Sequence, residues 1–259
     1  MPGAGERIRV GCCGWGFYRG GLKGYRQKFD LVEVQQTFYR LPQVKTAERW
    51  REEAPGNFEF TVKAWQAITH PPGSPTWRRS GLGPEELRGR EYGWLRPTRD
   101  NFEAWEKILE ICRALRARVC VIQTPPNFGC TEDNVEGMEE FLSSIERKRL
   151  VLAWEPRGDW NDHPEVIRRV CRRLRLVHVV DLMRREPLFT PSIHYTRLHG
   201  LNPREHDYNY RYTDEDLREL ARRVRGLAGE GREVYVMFNN VYMYESAEKF
   251  REVMGRQVL

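Results

Sequence analysis

Polar side chains stand at the far ends of seven apolar, β-branched runs in this chain: Glu33 in LVEV, Lys63 in FEFTVK, Gln123 in RVCVIQ, Glu155 in LVLAWE, Asp181 in LVHVVD, Arg197 and His199 in IHYTRLH, and Asn239 in EVYVMFN. A run that is apolar because it is buried accepts a polar residue only where something pairs with it. One carboxylate in such a place is ordinarily a cap or a surface group, but a whole set is what a binding pocket requires. The residue types name the chemistry. Glu33, Glu155 and His199 can pass protons and are the catalytic candidates. Lys63 and Arg197 are suited to hold a phosphate or carboxylate, the arginine through its two-pronged guanidinium. Gln123 and Asn239 can orient a substrate through amide hydrogen bonds, and Asp181 and Arg157 complete the polar ring.

The same acids raise a second chemistry. Glu33, Glu155, Asp181 and His199 are donors a single divalent metal would accept. Lys63, Arg157 and Arg197, expected at the same place, would offset the three carboxylate charges, and cations beside a metal site oppose binding. The expectation is therefore acid/base work on a small polar or anionic substrate with no required cofactor, a single divalent metal being the alternative. Hydrolysis of a phosphoester, a lyase step and an isomerisation all fit it.

Chemistry at strand ends needs elements that bring those ends together. Strands are expected at Arg7–Cys13, Leu31–Gln35, Asn57–Ala64, Arg118–Gln123, Leu150–Glu155, Leu176–Asp181, Ile193–His199 and Glu233–Asn239. Helix-length segments separate most of them: Lys45–Ala54, Asp100–Leu115, Glu132–Ile145, one from Pro164 behind a candidate cap at Asp162, one opened by Thr213, and one running to Met254. Eight strand–helix alternations imply an α/β fold, a single (β/α)₈ TIM-type barrel of one domain over residues 1–259, whose strand C-termini share one face. No G-x-G-x-x-G or phosphate-loop pattern follows any strand, which speaks against an open dinucleotide-binding sheet. Strand parity puts Tyr195, Arg197 and His199 on one side, and Glu33, Gln35 and Thr37 on one side. His178, of opposite parity to Asp181, reads as a packed histidine.

After the third strand comes a proline- and glycine-rich stretch, Trp65 to Arg99, expected as a lid-like insertion ordered by Trp65, Trp77 and Trp94. Aromatic residues beside arginines recur at Trp77-Arg78-Arg79, Trp94-Leu95-Arg96 and Tyr208-Asn209-Tyr210-Arg211-Tyr212. Base stacking with phosphate contact uses such combinations, so a nucleic-acid partner is the competing class. A non-catalytic small-molecule binder is a third.

Motifs spread along the chain resemble the YecE-like family, domain of unknown function family 72. They are G-x-x-G-W at Gly11–Trp15, V-E-V-x-x-T-F-Y-R-L-P at Val32–Pro42, F-x-F-x-V-K-A at Phe58–Ala64, I-T-H at Ile68–His70, Q-x-P-P at Gln123–Pro126, W-E-x-R at Trp154–Arg157, R-L-H-G at Arg197–Gly200 and F-N-N at Phe238–Asn240. The resemblance implies a TIM-type barrel and carries no settled activity. Within these motifs Trp15, Tyr39 and His70 join the candidate substrate-binding residues. Endonuclease IV-like phosphodiesterases are the form the nucleic-acid alternative would take.

Lys plus Arg number 43 against 37 Asp plus Glu, a formal charge of +6 on 259 residues, with no dense basic block. That balance favours anionic partners only weakly. The six cysteines lack disulfide-like or C-x-x-C spacing, the expectation being a reducing, cytoplasmic setting. No run approaches the ~20 apolar residues of a membrane helix, and no membrane partner is expected.

Overall fold

The alternation of apolar runs and helical segments folds as eight strands of one parallel sheet with helices between them, the (β/α)₈ TIM-type class. The structure is a computed structural model and describes residues 8–205, 207–229, 231–255 and 258. Its strands are β1 Ile8–Cys12, β2 Leu31–Val34, β3 Glu59–Lys63, β4 Val119–Gln123, β5 Val151–Glu155, β6 Val177–His178, β7 Ile193–Leu198 and β8 Glu233–Phe238. Its helices are α1 Gly21–Tyr25, α2 Gln36–Tyr39, α3 Val44–Glu53, α4 Pro84–Leu87, α5 Arg99–Ala114, α6 Glu132–Ser144, α7 Pro164–Leu174, α8 Asp214–Ala228 and α9 Met243–Met254. Arg7, expected to open the first strand, lies outside the described residues.

Contacts divide the chain into two compact units, Met1–Glu33 with Ala54–Glu59 and Val177–Leu259, and Val34–Glu53 with Phe60–Leu176. In the first, β1 pairs in parallel with β2 and β8, and β8 with β7, Leu198 standing beside Phe238. Every residue of β7 and β8 is buried, as in parallel strands covered on both faces. α8 begins as its sequence promises: Thr213 Oγ1 accepts from the Asp216 amide while the Asp216 carboxylate accepts from the Thr213 amide. Its stripe Leu217, Leu220, Ala221 and Val224 is buried.

The second unit holds β3, β4 and β5, paired in that order in parallel. Its 65–99 segment is held by packing and backbone bonds. The Trp77 indole donates to the Pro71 carbonyl at 2.9 Å and stacks on Tyr92, and Asn101 of α5 bonds both the amide and the carbonyl of Gly93. These contacts make it an ordered, packed layer and do not by themselves make it a lid.

Three local expectations fail. β2 stops at Val34, because Gln35 turns to φ −78°, ψ −31° and starts α2, so Gln35 and Thr37 do not share a strand face with Glu33. The buried Thr37 hydroxyl instead lies 2.6 Å from the carbonyls of both Val34 and Lys63. β6 is only two residues long. Past it, Val180 still bridges Thr196 in parallel and its carbonyl accepts the Arg197 amide at 3.0 Å, while the Thr196 hydroxyl donates to the same carbonyl and accepts from the Leu182 amide as Asp181 opens a turn. Asp162 closes a 3₁₀ turn, Gly158–Asp162, and His163 takes the cap position of α7 without a side-chain bond. Pro164 at the first helical position has no N–H to be capped.

Candidate functional site

In the first unit the candidates Glu33, Asp181, Arg197 and His199 sit at strand ends, all 2 % exposed or less. Shared parity on β7 sends Tyr195 and Arg197 to the same target: Arg197 Nη2 lies 3.1 Å from Glu33 Oε1, and the Tyr195 hydroxyl donates to Glu33 Oε2 at 2.9 Å. A guanidinium so placed is an internal counter-ion to Glu33. The Arg197 guanidinium also faces Cys13, whose thiol burial pushes well up.

Asp181 and His199 form a different kind of pair. Asp181 Oδ1 accepts from the Met183 amide at 3.0 Å and Oδ2 from the His199 amide at 2.9 Å, while His199 Nδ1 stands 3.9 Å from Oδ2. The Arg184 guanidinium comes no nearer than 4.0 Å. Burial outweighs these donors and pushes the Asp181 carboxyl up to about 6. The loop after β7 holds His199 in place: Gly200 sits at φ +106°, where a Cβ would come 2.3 Å from that of Tyr210. Its amide donates to the Tyr212 hydroxyl at 2.9 Å, and Arg184 donates to its carbonyl at 2.5 Å. The Tyr208 ring lies 5.4 Å from that of His199. Asn239, half-exposed, donates its backbone amide to Leu198, next to His199. Trp15, also half-exposed, lies in the loop after β1.

The second unit carries Lys63, Gln123, Glu155, Arg157, His70 and Tyr39. Lys63 Nζ donates to Gln123 Oε1 at 2.9 Å and lies 4.2 Å from the Phe38 ring centre. Arg157 grips Glu155 Oε1 through Nε at 2.9 Å and Nη2 at 2.8 Å. Gly158, at φ +76° with the Pro126 carbonyl where a Cβ would go, makes the turn beyond that pair. Burial, then the charges of Lys63 and Arg157, hold the His70 imidazole down to about 3, so it is neutral at pH 7 with Nδ1 bonded to the Thr69 hydroxyl at 2.8 Å. The Tyr39 ring is covered by the Arg79 guanidinium at 3.7 Å.

Two further readings meet the geometry. Among the described residues no three His, Cys, Asp or Glu side chains are grouped as a metal ion requires. Glu33 and Glu155 are each held by an arginine, and Asp181 by two backbone amides. Of the aromatic residues expected to stack on a nucleic acid, Trp77 is buried against Tyr92, Trp94 stacks on Phe128, and Tyr210 and Tyr212 pack edge to face, with hydroxyls bonded to Asp216 and the Gly200 amide. His178 is a packed histidine: Nδ1 accepts from the Leu188 amide, and burial holds the ring down to about 3.

Sequence reasoning missed Tyr195 as a partner of Glu33, although its parity with Arg197 was the available signal. It ranked Asp181 below Glu33 and Glu155 as a proton carrier, because the balance of burial against hydrogen bonds is a three-dimensional quantity. Asn240, which the sequence places beside Asn239 at the end of the last strand, is buried, and its Nδ2 donates to the Tyr210 carbonyl at 2.8 Å.

Residues 9–258 match the family described as protein of unknown function DUF72. The UPF0759 protein YunF of Bacillus subtilis is 22% identical over 287 residues, spanning 95% of this chain and 93% of YunF. A DUF72 family protein of Thermotoga maritima superposes with a TM-score of 0.70 at 26% identity, covering 96% of this chain and 99% of that one. One from Enterococcus faecalis gives 0.71 at 22% identity, covering 96% and 97%.

Proposed function

This chain belongs to the DUF72 family, and from its own side chains we propose that it is an enzyme performing acid/base chemistry on a polar or anionic substrate, one bearing phosphate or carboxylate. The observation that carries the reading is the Asp181–His199 pair: a buried carboxyl pushed up to about 6 with an imidazole nitrogen 3.9 Å away. A carboxyl that titrates near neutral pH can both accept and return a proton within one turnover, which an ordinary surface aspartate cannot. His199 is the group that meets substrate, and Asp181 tunes and orients it. Glu33, held by Arg197 and Tyr195, is part of the scaffold in this reading.

The anionic character of the substrate is supported by the second unit, considered by itself. Lys63 and Arg157 both act on His70, and a neutral imidazole flanked by two cations is an environment an anion improves. Glu155 neutralises part of that charge and fixes the Arg157 fork. Hydrolysis, elimination and isomerisation share these requirements.

The test is a turnover screen. Purified protein is incubated with a mixed pool of phosphorylated and carboxylated small metabolites, and the pool is followed by mass spectrometry beside His199→Gln and Asp181→Asn. At least one compound should be consumed by the native chain, with the rate reduced about 10²–10⁴-fold in His199→Gln. An unchanged pool, or consumption that survives in both variants, overturns the proposal.

A further inference from the structure

α6 and α7 pack side by side in the second unit and carry opposite charge. The outer face of α7 is a groove of about 320 Å³ lined by Glu165, Arg168, Arg169, Arg172 and Arg173 alone. The outer face of α6 presents Glu132, Asp133, Glu136 and Glu140, all exposed. Few of these charges meet within the molecule. Arg173 pairs with Glu139 at 3.0 Å and Arg168 with Glu165 at 2.6 Å, whereas Arg169, Arg172, Glu136 and Glu140 have no ion-pair partner among the described residues. Like charges stacked one turn apart repel, so each helix carries an uncompensated strain along its face. The apolar sides do not share it: Val135, Met138, Phe141 and Leu142 of α6, and Ile167, Val170, Cys171 and Leu174 of α7, are buried.

We propose that α6 and α7 together form a self-complementary docking face for a second copy of this chain, the carboxylates of α6 in one copy entering the arginine groove of α7 in the other. A two-fold axis running between the helices sets acid ridge against basic ridge twice over, which is what an isologous interface demands. A nucleic acid is a poorer occupant, because a polyanion along α7 would run beside the carboxylates of α6. A membrane surface is poorer too, since the apolar sides of both helices are already buried. With helices of only 13 and 11 residues, the face is small, and the dimer is a weak, salt-sensitive one.

Sedimentation equilibrium of the full chain, from about 10 μM to about 500 μM at low salt and again at ~0.5 M salt, reads the association. Two double variants reverse one ridge each, Glu136→Lys with Glu140→Lys, and Arg169→Glu with Arg172→Glu. The expected result is a dimer at low salt that dissociates at high salt, with a dissociation constant raised roughly tenfold or more in either variant alone. An equimolar mixture of the two variants should recover dimer, because each reversed ridge then meets its opposite. A native chain that stays monomeric throughout, a dimer that neither variant weakens, or a mixture that fails to associate would overturn the proposal and leave these ridges as solvated faces.

Discussion

Arg197 and Glu33, both wholly shielded from solvent, form an ion pair at 3.1 Å whose second carboxylate oxygen takes the Tyr195 hydroxyl at 2.9 Å. Removing both ions from water costs several kcal/mol, and their mutual attraction offsets this only while both partners are present. Arg197→Met should therefore destabilise the fold by about 3–5 kcal/mol by leaving the buried carboxylate without this counter-ion. Glu33→Leu should cost a similar amount, and the double variant clearly less than the sum. Urea denaturation gives all three values; additive losses would contradict the pairing.

Gly200 tests how the loop after β7 holds His199. At φ +106° an alanine is strained, and its Cβ would fall 2.3 Å from that of Tyr210, so either the loop or the Tyr210 backbone must move. Gly200→Ala should lower stability by about 1–3 kcal/mol and shift the His199 ring resonances. Gly200→Ala combined with Tyr210→Ala should not rescue it, because alanine at 210 keeps the Cβ that is met and the strain in φ persists. An unperturbed single variant would show that the turn is not constrained as described.

His70 should behave as a neutral base across the physiological range. Its folded-state value, down to about 3, lies below the ordinary 6.5, so its contribution to stability is present above pH 6.5 and is lost as pH falls toward 3. Imidazole resonances followed by NMR should show no midpoint for His70 between pH 8 and about 5. Inorganic phosphate should raise its midpoint if an anion settles between Lys63 and Arg157. A midpoint near 6.5 without phosphate would remove the two-cation environment.

Much of this was legible in the chain. Eight apolar runs, seven of them with polar ends, led to the parallel strands, and the alternation Tyr195, Arg197, His199 put the first two on one side of β7. The boundary of β2 failed where a side chain competes with the backbone ladder, Thr37 taking the Val34 carbonyl as β2 turns into α2, whereas β6 shortens to two residues with an isolated bridge, Val180 to Thr196, beyond it. Sequence shows Arg197 at a strand end, where it was expected to be the anion clamp, but not that Glu33, more than 160 positions away, stands 3.1 Å from its Nη2. For Asp181 the residue type was visible, whereas its proton affinity depends on burial that no spacing reports.

Asp181 also imposes a pH dependence of defined sign. Its folded value is raised above the ordinary 3.8, so its contribution to stability is fully present below pH 3.8 and is lost as pH rises through about 6. The native chain should thus lose up to about 3 kcal/mol from this group between pH 3.8 and pH 8, at 1.36 kcal/mol per unit. Asp181→Asn should lack that loss, so the stability difference between variant and native chain should move in the variant's favour as pH rises. A difference that stays flat from pH 4 to 8 would mean the carboxyl is ionised throughout.

The proton-carrying pair itself is reached most directly by titrating the side-chain carboxyl carbon of Asp181 by ¹³C NMR in this chain, assigned against Asp181→Asn. A midpoint at about 6, accompanied by a response of the His199 ring over the same range, is the predicted result. A midpoint near the ordinary 3.8, with no matching response at His199, would contradict it.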